Sequence, residues 1–450
     1  MKPLILYLLV ILTQIVCAQS NGLNTSDLYK LKSVGNIDIS PDGNHILYTV
    51  TSRNQNTKGT SSRIWIMDTK SGESVPFGAN EGKGSSPHWS PDGQWISFFG
   101  RKNNKYGVMI AEKEGNSTIF LAEVNGTNHP LPSSQGRLTW SPDSKQIAFV
   151  SSTPGPETDD ANGDPIVITR YLYKPTASEG LTRFNDNRRT HIFVVDIKTK
   201  KVSQLTDGVY YEHSIDWSPI GDEILFISNH EKDPDQFFNY DIFSVNVLDG
   251  TIRQITQTEN AEYQPKWSPD GKTILYLGTQ RGLTSSETTM EDTHVWLINK
   301  DGTSSQELGK YIDNRQRSPG WSPDGRSIYF TVQERGSIKL YRILLSNLQK
   351  PELIIDGPGR VRAWDTSQNN FITYIFHSPK DMAQVYLKRG RTITQLTDLN
   401  IGLLKAKKIA NVDSFTFLSF DGVQVEAFLT HPISKRVGST HPLIVMIKGG

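Results

Sequence analysis

Short apolar runs of alternating character recur along the chain: Ile46-Leu47-Tyr48, Trp95-Ile96-Ser97-Phe98, Ile147-Ala148-Phe149, Ile224-Leu225-Phe226, Ile274-Leu275-Tyr276 and Ile328-Tyr329-Phe330. Each follows a short polar turn. Ser-Pro-Asp-Gly stands at Ser40–Gly43, Ser90–Gly93, Ser268–Gly271 and Ser322–Gly325, with near-copies at Ser141–Ser144 (SPDS) and Ser218–Gly221 (SPIG). A degenerate seventh, Ser367–Asn370 (SQNN), follows Trp364. Pro fixes φ where a type I turn begins, Asp follows without strain, and Gly in fourth place accepts φ > 0. The pattern predicts a β-hairpin with a G1-type bulge. Trp89, Trp140, Trp217, Trp267 and Trp321 stand immediately before five of the turns, so each hairpin has one apolar face to bury.

The turn starts are 50, 51, 77, 50, 54 and 45 residues apart. A repeat of about 50 residues holds four short strands, the length of a propeller blade. One hairpin cannot bury its apolar face alone, whereas a ring of blades buries all of them. The expected class is all-β: a seven-bladed β-propeller over residues 20–408. Their fixed place before a turn makes the Trp residues packing groups between blades rather than a ligand-stacking platform. The turn Asp residues, about 50 positions apart with no second carboxylate beside them, read as turn formers, and no metal site is expected.

The 77-residue interval holds about 25 extra residues, including Gly163-Asp164-Pro165, Ile166–Lys174 (IVITRYLYK) and Phe184–Thr190 (FNDNRRT). Arg170, Arg183, Arg188 and Arg189 make it locally basic. An insertion of this size in a repeat array reads either as a solvated loop or as the lining of a functional opening on one face. Arg170, Tyr171, Arg188 and Arg189 are the substrate-access candidates on the second reading.

Composition narrows the field. Forty-eight Lys+Arg against 47 Asp+Glu leave a net charge of +1, which gives no reason to expect nucleic acid or an anionic membrane as partner. No cofactor motif is present, and oligomeric state is left open. Lys2, the apolar run from Leu4 to Val16 and the small residues before Gln19 read as a signal peptide over residues 1–19. Cys17 is the single cysteine, so the mature chain would carry none and need no disulfide. The expected location is periplasmic or secreted. Asn24, Asn116 and Asn125 lie in N-x-Ser/Thr triplets, which matter only in a eukaryotic secretory route.

Beyond about Ile409 the pattern changes. Phe415–Phe420 reads as a strand, Asp421-Gly422 as a turn and Val423–Thr430 as a second strand, with no blade turn behind them. Leu443–Ile447 is an all-apolar run of the kind that forms a buried strand, and the chain ends on Lys448-Gly449-Gly450. Together with Leu23–Gly43, the insertion and the turns, this tail resembles the prolyl oligopeptidase family of serine peptidases, particularly its acylaminoacyl-peptidase and dipeptidyl-peptidase branch. The resemblance spans nearly the whole mature chain. It implies a propeller followed by the first strands of a truncated α/β-hydrolase domain at 409–450, and a peptide substrate. It also implies a Ser–Asp–His triad with the Ser in Gly-x-Ser-x-Gly. That motif is absent from these 450 residues, so no catalytic triad residue is expected in this chain, which should be inactive alone. Gly449 and Gly450 match the family's oxyanion-loop glycines, while Lys448 stands where the family usually has His. No adjacent Glu-Glu pair occurs, which favours an acylaminoacyl-peptidase or oligopeptidase over a dipeptidyl peptidase. Two other readings remain open: a non-catalytic Tol-type propeller binding protein partners, and a sugar-active propeller, for which the sequence marks no channel cluster of His, Gln and Arg.

Overall fold

The structure, a computed structural model, describes residues 22–78, 83–115, 117–131, 136–173, 176–178, 181–279, 292–433, 438 and 440–447. The signal-peptide segment, Asn116, Lys448, Gly449 and Gly450 lie outside them. The described residues are nearly all β, with two α-helical segments of four and five residues among them. Among the described residues, seven successive units of four antiparallel strands occupy residues 32–76, 84–123, 138–204, 213–254, 262–307, 316–355 and 360–395. The last two share one eight-stranded sheet through a single parallel pair, Ile338 with Arg360.

Each unit begins with the strand before its polar turn. Those inner strands are Lys32–Ile39, Gly84–Trp89, Leu138–Trp140, His213–Trp217, Glu262–Trp267, Gln316–Trp321 and Arg360–Thr366. The turn works as its chemistry dictates. Its fourth residue is left-handed in every copy, from Asn370 at φ 58° to Gly221 at φ 86°. That residue's N–H donates to the first Ser carbonyl at 2.8–3.0 Å in all seven copies. In five copies the Ser Oγ donates to the turn Asp. Ile220 replaces that Asp in the fourth unit, and there Ser218 Oγ donates to Asp222 instead. The degenerate Ser367–Asn370 is thus a full member, because Asn is the side chain that best tolerates the left-handed conformation after Gly.

Apolar packing joins the units. Seven buried clusters each draw on two neighbouring units. Trp89, for example, packs with Leu47 and Ile64 of the unit before it, and Trp217 with Ala148 and Val150. One cluster joins Val34, Ile46 and Tyr48 of the first unit to Ile375, Val385 and Leu387 of the seventh. Burying each such side chain contributes about 1.5–3 kcal/mol. Among the described residues, no strand is exchanged between the first and seventh units. Their seam is held by Asp365 Oδ2 accepting Ile39 N–H (2.8 Å), Pro41 O accepting Gln368 N–H (3.1 Å) and Thr69 O accepting Arg389 (2.7 Å).

Two polar devices repeat between units. Two residues before the turn Ser, Asp38, Asp216 and Asp365 each accept the backbone N–H of the next unit's residue, Trp89, Trp267 and Ile39 (2.6–2.9 Å). Six residues before it, Glu212, Glu262 and Gln316 are buried against the preceding unit. Glu212 meets His191 Nδ1 at 2.7 Å and Glu262 accepts Thr256 Oγ1 at 3.0 Å. Gln316 accepts the Val295 N–H and donates to Gly309 O, each at 2.9 Å.

Glu262 also faces the Asp241 carboxyl, and the Thr256 hydroxyl reaches both acids. Burial and the Asp241 charge push Glu262 up to about 8, against 4.5 for a free glutamate. A raised acid favours the fold while protonated. Its contribution is full below about pH 4.5 and is lost as pH rises through about 8. Glu262→Gln copies the amide that the next unit already uses at Gln316. Its stability relative to wild type should therefore rise between pH 6 and pH 9, as urea melts at the two pH values would show.

The tail departs from expectation in one element. Its hairpin forms, Val412–Leu418 with Gln424–Thr430. Leu443–Ile447, expected as a buried strand, pairs with no strand among the described residues and is exposed throughout. A strand needs a partner for its backbone groups, and no described strand supplies one there.

Candidate functional site

The inner strands carry a repeated irregularity. Pairing with the second strand slips between Gly35/Ile37, Ser85/His88, His213/Asp216, Tyr263/Lys266, Arg317/Gly320 and Val361/Ala363. In five of these the slip holds a left-handed non-glycine residue: Asn36, Ser86, Ser214, Gln264 and Ser318. A bulge re-aims side chains and increases local twist. Here it turns the residues two to four places before the turn toward a central chamber of about 780 Å³, to which all seven inner strands contribute.

The chamber carries charged groups of both signs. Asp38 and Asp365 line it beside His88, whose Nδ1 lies 3.4 Å from Asp38 Oδ1. Burial and the Asp38 carboxylate push Asp365 up to about 7. Burial draws His88 down, but the hydrogen bond and charge of Asp38 outweigh it and leave His88 raised. Lys266 is neutralised by Asp216 at 2.9 Å. Arg137 stacks over the Phe99 ring at 5.4 Å, and Arg362 is exposed. The sequence marked no channel cluster of His, Gln and Arg, yet His88, Gln264, Arg137 and Arg362 all line this chamber. Bulged strands bring them together from four units, and position relative to the turn is the signal that could have found them.

The second feature is the face opposite the polar turns. In an antiparallel meander the connections between second and third strands all emerge there. The 154–188 insertion is such a connection. So is the Gly336 turn, and the Phe428 ring of the tail hairpin lies against Gly336. Lys380, in the same connection of the seventh unit, shares a cavity with Asn411, Asp413 and His431. Insertion and tail therefore share one face.

Arg170, Arg188 and Arg189 of the insertion are spoken for within the chain. Arg170 pairs with Asp235 through Nη2 and Nε and donates to Tyr211 OH at 2.8 Å. Arg188 donates to Ser152 Oγ and Ser152 O at 3.0 and 2.9 Å. Arg189 donates to Glu157 (2.8 Å), Val209 O (2.7 Å) and Tyr211 OH (3.1 Å). His129 stacks on the same Tyr211 ring at 3.8 Å, and burial holds it well below the usual imidazole range. Tyr171, the fourth candidate, is 71% exposed. These arginines are structural anchors rather than free cations. Sequence reasoning missed Asp235 and Tyr211, because they reach the insertion from more than 40 residues away.

Comparison with known proteins shows what the chain resembles. Residues 40–154 match the family described as the dipeptidyl peptidase IV (DPP IV) N-terminal region. An uncharacterized peptidase of Bacillus subtilis, YuxL, is 28% identical over 454 residues, covering 95% of this chain and 66% of the relative. Both matches are to peptidases or to a peptidase region, so the chain is similar to the prolyl oligopeptidase family. Solved structures agree on the fold. An acylaminoacyl peptidase in complex with Z-Gly-Gly-Phe-chloromethyl ketone superposes with a TM-score of 0.71 at 19% identity, over 92% of this chain and 60% of that one. The β-propeller domain of the trilobed protease from Pyrococcus furiosus superposes with a TM-score of 0.58 at 18% identity, over 83% of this chain and 98% of that one. The chain thus carries a β-propeller, and it spans just under two thirds of the curated relative it matches.

Proposed function

We propose that the seven units are the blades of a seven-bladed propeller, and that residues 409–450 open an α/β-hydrolase domain whose Ser–Asp–His triad follows Gly450. The whole would be an exported serine peptidase acting on short peptides. The observation that carries this reading is the shared face. The insertion and the tail hairpin emerge together, and the hairpin presents Phe415, Phe417 and Phe428 to solvent there, each about half exposed. Leu443–Ile447 adds a further exposed apolar run of the type that a hydrolase sheet buries. On this reading the propeller restricts access to the catalytic cavity. Tyr171 is the insertion residue that meets substrate, and Arg170, Arg188 and Arg189 hold it in place. The backbone N–H groups of Gly449 and Gly450 would serve a tetrahedral oxyanion. Residues 1–19 would direct export and be removed near Gln19.

The coding sequence past codon 450 should specify Gly-x-Ser-x-Gly, then an Asp, then a His. Its product should be labelled on that Ser by a fluorophosphonate, and the 450-residue chain should not be labelled. A stop codon directly after codon 450 in an intact gene would leave the binding-module reading in its place.

A further inference from the structure

The central chamber holds opposite charges that the protein itself leaves unmatched. Nearer the turns, Asp365 has no lysine or arginine partner among the described residues. Its carboxyl accepts only backbone N–H groups, from Ile39 and Thr366. Asp38 stands beside it, and His88 is the counter-group the two acids share. Further from the turns, Arg137 and Arg362 make no ion pair or hydrogen bond through their guanidinium groups among the described residues. Arg137 is half-buried and held over Phe99. Lys266, the remaining cation on this wall, is already taken by Asp216.

These charges lie at two levels. Asp38 and Asp365 stand two residues before their turn Ser, whereas Arg137 stands four before and Arg362 five before. Two or three residues of extended chain span about 7–10 Å, less where a bulge intervenes. A di- or tripeptide has a similar reach between its ends. The chamber, at about 780 Å³, falls within the range of small-molecule sites. Trp321, Trp364 and Tyr106 give its wall apolar surface for side chains.

We propose that the central chamber binds the zwitterion of a short peptide, with the carboxylate at Arg137 and Arg362 and the ammonium at Asp365 and Asp38. A guanidinium is a preferred partner for a carboxylate, which it can hold through two parallel N–H bonds. The ammonium supplies a second cation to two acids that share one histidine. The titration of Asp365 agrees, since burial beside a second carboxylate makes its charge costly until a cation arrives. The assignment stands on the charges of the chamber and not on the peptidase reading, so either can fail without the other.

The test titrates the chain with four probes: L-alanyl-L-leucine, its N-acetyl form, its C-terminal amide, and the form blocked at both ends. Calorimetry and tryptophan fluorescence report binding, the latter because Trp321 and Trp364 line the chamber. The zwitterion should bind at least tenfold more tightly than either singly blocked probe. Arg137→Ala and Arg362→Ala should each erase the preference for a free carboxylate, and Asp365→Asn the preference for a free ammonium. Should Asp365→Asn disturb the seam, the two arginine variants carry the test alone. Four probes binding equally, a zwitterion that does not bind, or arginine variants that leave the preference intact would each overturn the proposal.

Discussion

Asp235→Ala should release the 154–188 insertion and make it the first site of proteolytic cleavage. Asp235 and Arg170 are 6% and 11% exposed. The carboxylate accepts Arg170 Nε at 3.0 Å and the Leu172 N–H at 3.2 Å. Removing it strands a guanidinium in a desolvated place, which costs about 3–5 kcal/mol when one partner of a buried pair is lost. Tyr211 still accepts one arginine N–H but carries no formal charge to replace the carboxylate. The loss is local, because the seven apolar clusters draw nothing from this segment. Hydrogen exchange should therefore accelerate at residues 166–173 while the strands of the units keep their protection. The double replacement Arg170→Met with Asp235→Leu removes both charges and should restore protection of the loop. If Asp235→Ala leaves the insertion as resistant as wild type, the pair does not anchor it.

Trp217→Ala should cost about 3–5 kcal/mol in urea unfolding, the range for truncating a large buried aromatic. Its ring packs with Ala148, Val150 and Val194 of the third unit and with Ile224 and Phe226 of its own. No neighbour can collapse into the space without moving a strand. Its indole N–H has no hydrogen-bond partner among the described residues, so Trp217→Phe should cost distinctly less. Trp321 is only partly buried and donates to Lys266 O at 3.3 Å, so truncation there should cost less than at Trp217. A loss under about 1 kcal/mol at Trp217 would fit a ligand-stacking platform and not an inter-unit seam.

The repeat was legible because it rests on local chemistry. A Pro, an Asp and a left-handed fourth residue define the turn within four positions, and even Ser367–Asn370 could be found from Trp364 and spacing. The Trp before the turn was readable for the same reason. The longer-range devices were not. Asp38, Asp216 and Asp365 bond to a backbone N–H of the next unit, so their role appears only when two units are side by side. Their common place two residues before the turn Ser is nevertheless written in the sequence. Glu212, Glu262 and Gln316 share a place six residues before it, and the recurring Gln-Leu/Ile-Thr at 204–206 and 254–256 marks the threonines that bond to the two glutamates. The anchoring of the insertion was not legible, because the carboxylate and tyrosine that absorb Arg170 lie 65 and 41 residues further along the chain. Leu443–Ile447 misled because apolarity says what a segment would bury, and nothing about whether its partner strands are present.

We propose that this chain is the propeller side of a peptidase whose catalytic residues lie beyond Gly450. The most direct measurement compares hydrolysis of an N-acylated peptide anilide by this chain and by the product of the whole gene, purified alike. The account predicts turnover by the longer product, lost when the Ser of its Gly-x-Ser-x-Gly is replaced by Ala, and none by the 450-residue chain. Turnover by the 450-residue chain alone, or a longer product with no such Ser-dependent activity, would contradict it.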